Sequence, residues 1–500
     1  MPVPAPMLYS RGFLLSDSEE TLLASLPHYT EKRIGTKVLY HDEVVPVDVH
    51  ASHDSWLAIV GTVLETAPRA GDSPAGSIAT RLWRSFRAGS LGALEGELYD
   101  LGGRYAVIAS DERGTWAYHD AAGTRAVYYD IGNGNVGSHY DMLARLHAHQ
   151  PTQPNDIETL RLDLRNRYTA HPEIVSLLPN HRLDVPRAAQ ERFFLDRPNF
   201  ARTQDFDSKV EAVMGSWESQ LTQALRQADD VGFSMTGGWD SRLLLALASG
   251  VTNSLASFTY TYAGAASGAP PRSKWDEAMK LDFDIVNRLR PFLPARHTFI
   301  TKPETGQGTW RAAHISTLRR NSEGVHGQWL LADYMALFAS RSSLHYRGNI
   351  VGLGRMIGAQ PDALEDPHGR LRALVKNRAS RKSDPRSLAL GIHDEPVVRE
   401  QYETVHPDYE LTDVWYWENR LARWYAQLLN ETDVAFDTFT PFNTRRIIDS
   451  FLSLHPADRK EGLMQWELIY RGNPYLTFYG ANAMDDLYRS RVSSGRARPW

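Results

Sequence analysis

The chain has 500 residues, 42% of them hydrophobic and 23% charged, with a net charge of −5 and no cysteine. The missing cysteine excludes disulfides, cysteine-ligated zinc and a cysteine nucleophile, and the acidic balance offers no basic surface for nucleic acid. No apolar run approaches the roughly 18 residues of a membrane span, and the start MPVPAPMLYSRGFLLSDSEE has no apolar stretch behind a basic end. The expectation at this length is a cytoplasmic protein of two domains.

Residues 1 to about 150 alternate short β-type runs with one helix. Segments 56–64, 104–110, 115–119 and 126–129 read as strands, parted by turns such as Glu112-Arg113-Gly114, and 77–88 reads as an amphipathic helix. Pro179-Asn180 and Asp184 to Pro186 are turn chemistry, and 199–206 reads as a linker. A domain boundary falls near residue 203, because 206–229 is an amphipathic helix with Val210, Val213, Trp217, Leu221 and Leu225 at helical spacing.

The most informative stretch is VGFSMTGGWDSRLLLALA at 231–248. A short apolar strand ends at Ser234 and Met235, Thr236-Gly237-Gly238-Trp239-Asp240-Ser241 turns, and a helix follows from Ser241 and Arg242. Backbone N–H groups in such a turn, with the positive end of the helix, make an anion site. Asp240 adds a carboxylate that suits hydrated Mg²⁺. No Lys-Ser/Thr follows the glycines, so this is not a Walker loop, and the third glycine of a dinucleotide fingerprint is missing. Strands at 255–262 and 296–300, with a helix at 275–289 between them, give a βαβαβ order. Glycine, proline and serine make 263–272 a loop. The histidines His314, His326 and His345, with Glu323, lack metal-ligand spacing and read as ordinary residues, while 321–327 is placed beside an acceptor pocket. In LHYRGNIVGLGRMIGA at 344–359, Arg355 has the geometry to neutralise phosphate. The basic stretch within 363–387 reads as a solvated helix face or loop, 413–430 as an aromatic-rich helix, and the last residues as a tail.

Two resemblances organise these pieces. The 236–241 loop resembles the SGGxDS loop of the asparagine-synthetase type of ATP pyrophosphatases, with Thr236 in place of the first serine. Residues 98–130 (LYDLGGRYAVIASDERGTWAYHDAAGTRAVYYD) resemble the glutaminase domain of class II amidotransferases. Together they imply an α/β chain: an Ntn-hydrolase-like αββα sandwich over 1–203, then a PP-loop parallel-sheet synthetase domain over 204–500. The implied cofactors are ATP and Mg²⁺. The nucleotide would meet Ser234, Thr236, Gly237, Gly238, Trp239, Asp240, Ser241 and Arg242, with the metal on Asp240. Asp276 matches the acid that opens the helix after the second strand, and Lys460 (Arg459 as fallback) matches the lysine that stabilises transition-state charge in relatives, with Arg355 as the third catalytic candidate.

Two departures matter. Class II glutaminases need an N-terminal cysteine nucleophile, and this chain has Pro2 and no cysteine, so ammonia from glutamine is excluded. The second loop has Gly352, Leu353, Gly354 and Arg355 where relatives carry a metal-binding acid. The resemblance therefore implies an AMP-forming ligase joining a carboxylate to an amine that comes from the substrate itself, from free ammonia or from a separate small molecule or peptide, with an intramolecular or peptide/natural-product cyclisation as one version. The other reading is a catalytically silent shell of the same type that binds nucleotide or a peptide partner.

Overall fold

The structure, a computed structural model, describes residues 3–67, 77–147, 160–302, 309–338, 340–356, 366–380 and 395–493. The end of the basic stretch at 381–387 and the last seven residues lie outside these. The chain is a mixed α/β protein with two antiparallel sheets and one parallel sheet. Strands β1 (Phe13–Ser16), β2 (Tyr29–Ile34), β3 (Lys37–Asp42), β4 (Val47–Ala51), β5 (Trp56–Glu65) and β6 (Leu101–Asp111) come first. Then follow β7 (Gly114–His119), β8 (Tyr128–Asp130), β9 (Val136–Gly137), β10 (Ile174–Ser176), β11 (His181–Asp184) and β12 (Ala189–Arg192). They pair as β10-β8-β9-β1-β3-β2 and β12-β11-β7-β6-β5-β4.

Side-chain alternation makes both sheets two-faced. On β5 and β6, Ala58, Val60, Ala106 and Ile108 meet Phe13, Leu15 and Leu39 between the sheets. Leu57, Ile59, Tyr105 and Val107 face the other way, onto Leu82, Phe86 and Leu94 of the helices Ile78–Arg87 and Leu91–Leu98. The opposite outer face carries Leu14, Tyr40 and Tyr128 against Met142 and Leu143 of the helix Tyr140–Leu146. The layers are helix, sheet, sheet, helix.

The parallel sheet contains β13 (Val231–Ser234), β14 (Ala256–Tyr262), β15 (Arg296–Lys302), β16 (Leu344–Tyr346) and β17 (Asp437–Phe439), in the order β15-β14-β13-β16-β17. All four pairings are parallel. The helix Phe206–Gln227 leads into it. Its Trp217 is fully buried and donates Nε1–H to the Tyr346 hydroxyl at 2.5 Å. One apolar core continues from β5 and β6 through Trp217 to Phe233, Tyr346 and Phe442. No helix among the described residues is long and apolar enough to cross a membrane.

The two halves are also joined by buried charge. Arg104 on β6, 1% exposed, pairs with Asp433 and, at 2.9 Å, with Asp437. Arg125 reaches the same Asp437 at 3.4 Å. Against its burial, Arg125 and Arg104 hold the Asp437 carboxyl down at about 2. An uncompensated charge here would cost about 3–5 kcal/mol, so the pairing fixes how the halves meet.

Candidate functional site

In the parallel sheet, β13 comes first along the chain yet lies between β14 and β16. The chain reverses its direction of progress there, and the loops leaving β13 and β16 open a crevice at the strands' carboxyl ends, where ligands bind open α/β sheets. The first loop is Met235 to Gly238, followed by the helix Trp239–Leu247. The second contains the turn Asn349–Gly354 and ends at Arg355.

Internal hydrogen bonds hold the first loop tightly. Thr236 N–H donates to Ser241 Oγ at 3.1 Å, Ser241 Oγ–H donates to Thr236 O at 2.9 Å, and Gly238 N–H donates to Thr236 Oγ1 at 3.2 Å. Gly237 N–H donates to the Asp282 carboxylate at 2.8 Å. The remaining donors are the first-turn N–H groups of Trp239, Asp240 and Ser241, ahead of the first i−4 bond from Arg242 N–H to Gly238 O. Neither glycine adopts a left-handed backbone. Gly237 is required by close approach: a Cβ there would meet Ile285 Cδ1 at 2.8 Å and Asp282 Oδ1 at 2.9 Å.

Asp240 sits between the loops. A Cβ on Gly348 would lie 3.0 Å from Asp240 O and 3.2 Å from its Cβ, so the second loop packs directly on the acid. Arg355 donates to Asp240 Oδ1 at 3.1 Å. Burial pushes the Asp240 carboxyl up to about 6 against the pull of Arg355. Arg355, expected to face phosphate, is thus the partner of the expected metal ligand. Mg²⁺ can be held by a single carboxylate plus phosphate oxygens; Asp240 is a carboxylate of that kind, and here it is paired with Arg355.

Other expected site residues are placed differently. Arg242 is fully buried, and its guanidinium donates to Leu476 O at 2.8 Å, Tyr479 O at 3.1 Å and Gly480 O at 2.6 Å. Burial lowers it to about 10. It ties down the 476–480 turn instead of facing the crevice. Ser234 ends β13 opposite Phe258 and is half-buried. Lys460 is exposed at the end of the helix Pro456–Lys460. Its neighbour Arg459 is buried, 2.7 Å from Asp413, and donates to Leu353 O at 3.2 Å and Gly354 O at 3.3 Å. The helix carrying Lys460 therefore abuts the second loop, but the buried arginine has a scaffolding position. Asp276 does not cap its helix: Ser273 does, and Asp276 accepts Arg272 N–H at 2.8 Å.

The structure adds residues that sequence reasoning missed. Asp282 is one; it lies three residues from both Met279 and Ile285, on the buried stripe of its helix, and an acid on such a stripe is a readable signal. The others belong to 411–432, whose middle, Tyr416–Tyr425, is a π-helix. Long π-helices are rare, and π geometry is frequent at functional sites. Tyr416 is raised by burial and senses Arg420, Arg378, Asp240 and Arg355, and its hydroxyl lies 3.7 Å from where a Cβ on Gly352 would be. Arg420 stacks on the Trp424 ring at 3.6 Å. Arg161, Arg378 and Arg420 lie 2.7, 3.2 and 3.8 Å from the single buried carboxylate of Asp163. Three guanidiniums on one acid leave excess positive charge.

That charge lines a cavity of about 330 Å³ with Arg161, Asp163, His326, Arg420, Trp424 and Glu431 on its walls. Gly324, Val325 and His326 of the 321–327 stretch lie on its wall. Glu431 accepts His326 N–H at 2.9 Å and Gly327 N–H at 2.5 Å, yet burial pushes it up to about 7. A carboxyl near neutrality in a cavity wall is suited to proton transfer. His345 and Glu323 hold no such position: His345 is buried among aromatic rings and Glu323 is paired with Arg165 and Arg423. No protein-family model matches the chain, and no curated protein matches it.

Proposed function

We propose that the chain is an ATP-dependent, AMP-forming ligase that makes an amide bond, built as an Ntn-hydrolase-like αββα scaffold followed by a PP-loop synthetase domain. The observation that carries this reading is the meeting of Asp240 and the 236–241 loop with Arg355 at the reversal of the parallel sheet. Bound ATP supplies the α-phosphorus as electrophile and pyrophosphate as leaving group, with Mg²⁺ as charge neutraliser. The first-turn amides of Trp239 and Asp240 donate to the polyphosphate, and Asp240 holds the cation. Arg355 is placed to follow the negative charge from Asp240 to the departing pyrophosphate. The cavity arginines orient the substrate carboxylate, and Glu431 takes the proton of the attacking amine. Positioning and charge provide most of the catalysis in such a site. With no cysteine for glutamine hydrolysis, the amine arrives on the substrate itself or on a second small molecule or peptide.

The test is exchange of labelled pyrophosphate into ATP across a panel of amine-bearing carboxylates. Wild-type protein is expected to show exchange with its substrate, and Asp240→Ala to lose it by at least 100-fold. Exchange persisting in that variant would falsify the mechanism. A second reading, a silent nucleotide- or peptide-binding shell, draws support from Arg355 on Asp240 and Asp282 on Gly237 N–H. Nucleotide binding by calorimetry with no exchange on any carboxylate is the outcome that selects it.

A further inference from the structure

In the antiparallel half, three segments bring a second group of ligating side chains together, away from everything used above. Strand β10 pairs with β8 so that Ile174 stands opposite Asp130, and Ile131 N–H donates to Glu173 O at 2.9 Å. This register sets His171 and Glu173, just before β10, beside Asp130 at the end of β8. The third segment is the end of the helix Tyr140–Leu146, where His147 closes the last turn with its N–H on Leu143 O at 2.9 Å.

One ring nitrogen from each histidine and a carboxylate oxygen of Glu173 lie within 4.8 Å of one another. His147 and His171 are buried, with ring centroids 4.8 Å apart. His147 Nε2 rests against Glu173 Oε2. On the other side of its ring, His147 Nδ1 is 2.5 Å from Asp130 Oδ2, and Asp130 Oδ1 accepts Gly132 N–H at 2.8 Å. A fully buried carboxylate therefore fixes one ring nitrogen of His147 as the N–H and turns the other toward Glu173. This is the carboxylate–histidine arrangement that orients metal ligands and raises their basicity.

We propose that His147, His171 and Glu173 form a Zn²⁺ site, with Asp130 as the residue that positions His147. Two imidazoles and one carboxylate are a zinc donor set, whereas Mg²⁺ and Ca²⁺ require oxygen ligands throughout. Bonds of about 2.0–2.2 Å bring tetrahedral ligands to a little over 3 Å apart, within side-chain rotation of the present arrangement. The Glu173 side chain is 41% exposed, so the group opens to solvent on that side and leaves a position for water. Binding ties β8, β10 and the helix Tyr140–Leu146 to one ion.

The experiment uses the full chain, stripped with chelator, dialysed and titrated with Zn²⁺ and, separately, Co²⁺ and Mg²⁺. One equivalent of Zn²⁺ is expected by elemental analysis, with a rise in Tm, and one of Co²⁺ with visible absorption of a four- or five-coordinate ion. Mg²⁺ at the same concentration is expected to do neither. His171→Ala and Glu173→Gln should lose stoichiometric binding, and Asp130→Asn should bind about 10–100-fold more weakly. The half-exposed Glu173 makes E173Q usable even where a histidine variant fails to fold. Absence of stoichiometric Zn²⁺, or unchanged uptake by E173Q, overturns the proposal and leaves His147 as a structural link between Asp130 and Glu173. None of these readouts depends on ATP, so neither outcome bears on the ligase reading.

Discussion

At Asp240 two influences oppose each other: burial raises the carboxyl to about 6 and Arg355 draws it back. The carboxylate must be ionised to hold a cation, so exchange activity should be present above about pH 6 and fall as pH drops through that value. Arg355→Ala removes the opposing cation, and the acid limb should then move to higher pH, while Arg355→Lys keeps most of the original profile. The measurement is the pH dependence of pyrophosphate exchange in the three proteins. An acid limb that stays in place or moves down in Arg355→Ala removes Asp240 from the role. At this scale the sequence exposed Asp240 and Arg355 as residue types suited to a phosphate and metal site. It did not expose their mutual pairing, because that depends on the register of β13 against β16, and β16 has only three residues.

The strand–turn–helix at 231–248 is legible because it carries its own local signal: an apolar run, a glycine turn, a change of period. The π-helix is not. The spacing of Trp415, Trp417, Leu421 and Tyr425 satisfies α and π windings alike over so short a stretch, and only packing on both sides selects between them. Likewise, the glycines of the 236–241 loop read as turn residues, whereas Gly237 answers to the space occupied by Ile285 and Asp282. Gly237→Ala should therefore destabilise the protein by about 1–3 kcal/mol and displace the Asp282 carboxylate from the loop. Urea unfolding of the variant checks this; a loss below ~0.5 kcal/mol means the loop has room that the contacts deny.

Across the whole molecule, the apolar core that runs from one half into the other and the Arg104–Asp433–Asp437 cluster couple the halves, although the space between the two antiparallel sheets is a core of the first half alone. The chain should unfold in one transition, with tryptophan fluorescence and far-ultraviolet circular dichroism coincident. Arg104→Ala strands the buried Asp433 carboxylate, while Asp437 keeps Arg125, and should cost about 3–5 kcal/mol, whereas Arg104→Ala with Asp433→Asn should recover part of it. Two separated transitions in the wild type would show that the halves are energetically independent. The sequence suggests two domains from length and from the two resemblances; it carries no sign of this seam, because Arg104 and Asp433 are 329 residues apart.

The Asp282 carboxylate on Gly237 N–H has a thermodynamic consequence. It is an anion of the protein's own, seated on an amide of the loop where polyphosphate is proposed to bind. A nucleotide arriving there competes with it and then sits beside it as a like charge, which favours protonation of an acid that burial already raises. Nucleotide binding should therefore be coupled to proton uptake. ATP affinity is expected to weaken as pH rises, and calorimetry in buffers of different ionisation enthalpy should give different apparent heats. In Asp282→Asn both effects should shrink together.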